Sequence, residues 1–127
     1  MNLEKVIFGF FILLAATLNF GFVLGDIADP THHAEAELFA AVVVNVVATL
    51  LKFGDRTQLG AVHLATSLVA VLQLFAATLV WFFAARDASG AVFPSSMAAI
   101  VSLAAGAVFA NVVSVIMLVA ETLMLRR

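Results

Sequence analysis

Apolar residues fill four long runs of the chain, and polar residues gather in the short stretches between them. A helix needs about 20 apolar residues, rising about 1.5 Å each, to cross a hydrocarbon core of about 30 Å. The runs predict an all-α bundle of four transmembrane helices, at about 6–25, 30–53, 58–85 and 95–125, in one domain spanning residues 1–127. The first run carries no charge between Lys5 and Asp26. It is longer than the apolar core of a signal peptide and lacks a small-residue cleavage pattern before Asp26, so it is expected to be retained.

Local signals set the boundaries. Asp29-Pro30 reads as an N-cap followed by proline at the first position of helix two, with Glu35 and Glu37 favourably placed against its dipole. Gly54 can end helix two in a left-handed conformation, and Asp55 with Gln58 resembles a capping box for helix three. The turn between these helices is therefore short, which makes them antiparallel neighbours. Trp81 falls near the outer end of helix three, where an interfacial aromatic is expected.

Charge fixes the orientation. Lys5, Lys52, Arg56, Arg126 and Arg127 flank segment ends on one side, against Glu4, Asp55 and Glu121. The other side carries Arg86 against Asp26, Asp29, Glu35, Glu37 and Asp87. Cytoplasmic loops collect Lys and Arg, so both termini are expected in the cytoplasm and the acidic face outside. The composition agrees: 65% hydrophobic, 11% charged and mean hydropathy +1.18, more apolar surface than a soluble chain of 127 residues could hide. The absence of cysteine excludes disulfides, thiolate metal sites and a cysteine nucleophile.

Two short patterns repeat in the same order. Ala15-Ala16-Thr17-Leu18 returns as residues 76–79, and Asn45-Val46-Val47 as residues 111–113. Each half would be one hairpin, related to the other by an axis along the membrane normal. Small residues mark packing faces: Ser102, Gly106, Ala110 and Ser114 recur every four residues in helix four, and Thr17, Gly21 and Gly25 do so in helix one. Helix four's ridge could also join copies of the chain into a homo-oligomer.

The polar groups inside the runs are the candidate functional residues. Asn19, Asn45 and Asn111 need hydrogen-bond partners, either across helices or along a polar pathway. Asn45 shares a stripe with Glu37, Ala41, Thr49 and Lys52; Asn111 shares one with Ser114, Leu118 and Glu121. Helix three aligns His63, Thr66, Ser67, Ala70, Gln73 and Ala77. An ionisable residue within a span marks a candidate site, and the candidate partners of His63 are Glu121 and Glu4. Glu121, about one turn from its helix end, is expected to pair with Arg126 or Lys52. Outside, His32, His33, Glu35 and Glu37 could hold a divalent metal, because His33 and Glu37 lie one helical turn apart.

Residues 1–11 (MNLEKVIFGFF), 18–22 (LNFGF), 51–57 (LKFGDRT) and 64–68 (LATSL) resemble an uncharacterised bacterial family of small four-helix inner-membrane proteins, a domain of unknown function. The resemblance implies a bacterial inner-membrane protein and supplies no catalytic residues. Helix one lacks the embedded glutamate of small multidrug transporters, and helix three lacks the threonine–phenylalanine signature of fluoride channels. The buried arginine–glutamate pairs of membrane glutathione- and eicosanoid-metabolising enzymes are missing too. No catalytic constellation, cofactor motif or basic patch for nucleic acid is present, so the chain is read as a non-enzyme without a cofactor. The leading expectation is cation movement through an oligomeric pore, or beside one as a subunit, with Asn45 and Asn111 lining or bracing the path. The alternatives are a structural or regulatory subunit of a larger membrane complex and, third, external divalent-metal binding.

Overall fold

The computed structural model describes residues 3–26, 28–55 and 57–125, without the side chains of His32 and Leu125. It contains α1 (Leu3–Val23), a 3-10 turn (Pro30–His32), α2 (Glu35–Lys52), α3 (Gln58–Phe83) and α4 (Pro94–Leu125). The helices form an antiparallel ring in which α1 touches α2 and α4, and α3 touches α2 and α4. Lys5 Nζ lies 2.9 Å from Glu121 Oε1, so the start of α1 and the end of α4 share one end of the bundle. We call this the basal end and the opposite one the distal end.

Among the described residues three helices, not four, are long and apolar enough to cross a membrane: Leu3–Val23, Gln58–Phe83 and Pro94–Met124. The expected fourth, α2, has only 18 residues and spends three of them on Glu35, Glu37 and Lys52. Only 28% of the most apolar window in each long helix is buried, so most of that surface faces outward. Phe10, Phe20, Leu72, Phe109 and Ile116 are among the large apolar side chains left exposed. A patch this extensive needs an apolar neighbour, and lipid is the one these helix lengths match.

Helix two starts later than Asp29-Pro30 suggests. Asp29 Oδ1 accepts the backbone N–H of Thr31 at 2.9 Å and its hydroxyl at 2.7 Å, which closes a single 3-10 turn. His33 and Ala34 are extended, so α2 begins afresh at Glu35. At its other end Gly54 takes φ +89°, the left-handed stop expected from the sequence. The capping box proves to be a relay instead. Thr57 is the N-cap and accepts Gly60 N–H at 2.9 Å, while Asp55 Oδ1 accepts the N–H and hydroxyl of Thr57.

Packing divides the interior into layers. A basal apolar plug of Phe8, Ile12 and Ala48 is flanked by Phe11, Val115 and Leu118. The larger distal core includes Phe22, Leu38, Leu74, Trp81, Met97 and Ile100. Beside and beyond the plug each helix contributes buried polar residues: Asn19 from α1, Asn45 from α2, His63 (level with Phe8) and Ser67 from α3, and Asn111 and Ser114 from α4.

The α3–α4 loop is organised by Asp87, whose Oδ1 accepts the Ser89 hydroxyl and the N–H groups of Ser89 and Ala91. Bonds from Ser89 are the main reason that the Asp87 carboxyl sits below the ordinary aspartate range. A carboxyl lowered on folding stabilises the loop above its unfolded pKa, and the contribution disappears as pH falls through the folded value. The expected outcome of Ser89→Ala is a rise in the Asp87 midpoint toward the ordinary range, read by carboxyl carbon NMR shifts. An unchanged midpoint would contradict the assignment.

Candidate functional site

Three asparagines from three helices meet in the polar layer. Asn111 Nδ2 donates to Asn45 Oδ1 at 2.8 Å, and Asn111 Oδ1 accepts from Asn19 Nδ2 at 2.7 Å. Asn45 Nδ2 then donates to the Ala41 carbonyl at 2.7 Å, while the Thr49 hydroxyl donates to the Asn45 carbonyl. All three amides are fully buried. The bond from Asn111 to Asn45 crosses the diagonal of the ring and joins the two asparagines that match in the sequence repeat. In hydrocarbon such bonds replace the hydrophobic effect as a source of specific association, at about 0.6–2 kcal/mol each.

Next to the triad, α3 meets α4 through small and polar groups. Thr66 Oγ1 shares a short hydrogen bond with Ser114 Oγ and also donates to the His63 carbonyl. Gly106 lies against the Gln73 amide so closely that a Cβ there would stand 1.8 Å from Gln73 Oε1. Ala110 and Ser114 are buried, and only Ser102 of the expected ridge is exposed. The ridge is therefore used within the chain and is not available as a whole to a second copy. Asn45 and Asn111 likewise face the centre of the bundle. In α1, Gly21 lies against Glu37 and has a packing role. Thr17 is exposed and donates to the Leu14 carbonyl; Gly25 sits beyond the helix at φ +97°.

His63 has 1% of its surface exposed, and neither ring nitrogen has a hydrogen-bond partner among the described residues. The Ser67 hydroxyl and Asn19 Oδ1 share that condition. Buried polar atoms rarely remain unbonded, and the usual partner is water. The expected acidic partners do not reach the ring: Glu121 pairs with Lys5, because antiparallel packing brings the first turn of α1 against the last turns of α4. Arg126, the other expected partner of Glu121, lies outside the described residues. Phe8 packs edge-on against His63 at 5.0 Å between ring centres.

On the far side of Phe8 a basal vestibule of about 500 Å³ opens between Glu4, Lys5, Lys52, Asp55, Thr57 and Glu121. Lys52 Nζ stands 4.3 Å above the Phe8 ring and 3.5 Å from Asp55 Oδ2. Hydrogen bonds from the Thr57 hydroxyl and N–H, with a smaller pull from Lys52, hold the Asp55 carboxyl below its ordinary range. The vestibule was not expected from sequence. Its residues come from three helices and a turn, and only their shared position at segment ends hinted at it.

At the distal end two side chains expected at the outer surface, Trp81 and His33, are buried. Trp81 is only 7% exposed and points inward, tilted against Phe22, with Arg86 above its ring and donating to its carbonyl. His33 is buried with its two ring nitrogens facing the carbonyl oxygens of Phe22 and Asp26. That arrangement ties the end of α1 to the loop and leaves no ring lone pair directed outward. No cluster of three His, Cys, Asp or Glu suited to a metal occurs among the described residues, and the His32 side chain lies outside them.

A family model described as "Family of unknown function (DUF6394)" matches residues 32–122. The chain belongs to this family. The match begins just before α2 and takes in α2, α3 and most of α4, and therefore Asn45, His63, Ser67 and Asn111, while Asn19 precedes it. Neither the curated proteins nor the solved structures contain a match.

Asn111→Ala removes a donor and an acceptor from the triad at once, with an expected cost of about 1–3 kcal/mol in reversible unfolding from mixed micelles. The cost of Asn19→Ala should be smaller in that background by about 0.6–2 kcal/mol. Strict additivity of the two substitutions would contradict a shared bond.

Proposed function

We propose that the bundle is embedded in a membrane with its basal end in the cytoplasm and that it moves a cation, the proton, through its own core. The observation that carries this reading is His63: an imidazole buried beside a layer of amides and hydroxyls, unpartnered at both nitrogens, one aromatic ring away from a charged vestibule. Histidine exchanges protons near neutral pH, and an ionisable group at this depth is costly to keep without a role. The excess of lysine and arginine that the sequence sets beside the first, second and fourth apolar runs, on the side of Lys5 and Lys52, supports the orientation.

The chemistry of the layer favours the proton over a metal cation. No carboxylate is among the buried side chains of the described residues, so a dehydrated metal ion would meet no counter-charge inside. A proton needs only an imidazole and oriented hydroxyls or water. The vestibule carboxylates Glu4, Asp55 and Glu121 would gather protons at the basal mouth, and His63 would take one up. Ser67, Thr66 and Ser114 would carry it by hydroxyl exchange, with the asparagine amides orienting water. Gln73 on α3 and Glu37 on α2 are the next polar side chains toward the distal end, where the core has to part for release.

A second reading has its own support: Asn45 and Asn111 spend their bonds on each other, on Asn19 and on backbone, as members of a rigid, non-transporting subunit of a larger complex would. Proton flux into liposomes separates the two. A pH-sensitive dye, under a potassium diffusion potential, should report flux above empty vesicles, and His63→Gln should lower it by about tenfold or more, the effect expected of losing a proton-exchanging group. Folded protein with no flux above background would overturn the transport reading and leave the structural one.

A further inference from the structure

We infer that Phe8 is the basal valve of the polar layer: its ring closes the passage between the vestibule and His63, and Lys52 holds it shut. Three contacts lie in series. The Lys52 ammonium borders the vestibule and stands 4.3 Å over the Phe8 ring, and the same ring lies edge-on to His63 at 5.0 Å between ring centres. Phe8 and His63 are each 1% exposed, although the open vestibule begins one side chain away. Ile12 and Ala48, with Phe11, Val115 and Leu118 around them, complete a plug separate from the distal core. The plug is thin, with three buried residues, and its Phe8 packs edge-on against His63.

Lys52 gives the valve its latch. A cation over an aromatic face is attracted by the ring's negative quadrupole and holds the ring in place. The same ammonium lies within reach of Asp55, which Thr57 fixes in position at the start of α3. Lys52 thus holds two partners at once, and tighter pairing with Asp55 would weaken its hold on Phe8. Lys52 shares the vestibule with Lys5, Glu4 and Glu121, so the ring it covers stands between charged side chains and the neutral His63.

The valve acquires its purpose from the transport reading, but its test measures access to His63 and not flux, so either can fail alone. The chain has no native cysteine, which makes His63→Cys a unique thiol. In the full-length protein its reaction with a water-soluble methanethiosulfonate reagent should be slow, and adding Phe8→Ala should accelerate it by about tenfold or more, as expected when a closed site becomes open. Phe8→Leu, which keeps most of the bulk, should stay slow. Lys52→Gln preserves the plug and should raise the rate by about threefold, the scale of a lost cation–π contact. A fast reaction with Phe8 in place would overturn the valve, as would a slow one in a folded Phe8→Ala variant. Should Phe8→Ala fail to fold, an unchanged rate in Lys52→Gln would overturn the latch.

Discussion

The amide of Asn111 holds three helices at once, and the rest of the bundle is arranged around the cost of burying it. In a chain whose long helices turn most of their apolar surface outward, the hydrophobic effect does not choose which helix faces meet. Hydrogen bonds and close packing make that choice. Asn111 donates to α2 and accepts from α1, so the rotation of both helices is fixed relative to α4. The small residues of α3 and α4 then set their separation, with Gln73 folded over Gly106 and Thr66 bonded to Ser114.

The same constraint makes the polar layer a place where chemistry can happen. Two apolar blocks of unequal thickness seal it: a large distal core, and a basal plug with three buried residues. A group placed between them is shielded from bulk water yet close to one surface. His63 is the one titratable member of the layer among the described residues, and it sits at the thinly sealed side, against Phe8. Burial of this kind without a bonded partner is what separates His63 from His33, whose nitrogens both face backbone carbonyls and whose role is to fasten a loop.

Much of the fold was legible because it depends on run length. Four helices and the left-handed stop at Gly54 follow from the lengths of the apolar runs and from glycine chemistry. The failures occurred where a local pattern had two uses. Asp29-Pro30 carries the signal of a helix start, but Asp29 spends its cap on a 3-10 turn because His33 and Ala34 do not continue the helix. Apolar residues within α2 suggested a span, whereas charges at both ends shorten it. Helix rotation was the harder limit. Trp81 looked interfacial by depth, yet depth does not say which way a side chain points, and it faces Phe22. The asparagines stood out one by one. Their meeting was not legible, because Asn19, Asn45 and Asn111 are far apart in sequence and only packing shows that their faces converge.

If the bundle is as described, its asparagine layer lies inside one chain when the protein is in lipid. Solid-state NMR on the protein in bilayers, with asparagine side chains labelled, tests it most directly. A contact of about 4 Å is expected between Asn19 Nδ2 and Asn111 Cγ, the distance a direct amide hydrogen bond imposes. That contact should persist when labelled chains are diluted in unlabelled ones. Its loss on dilution would assign the bond to neighbouring copies and contradict an internal layer, and asparagine signals in contact with lipid chains would contradict it as well.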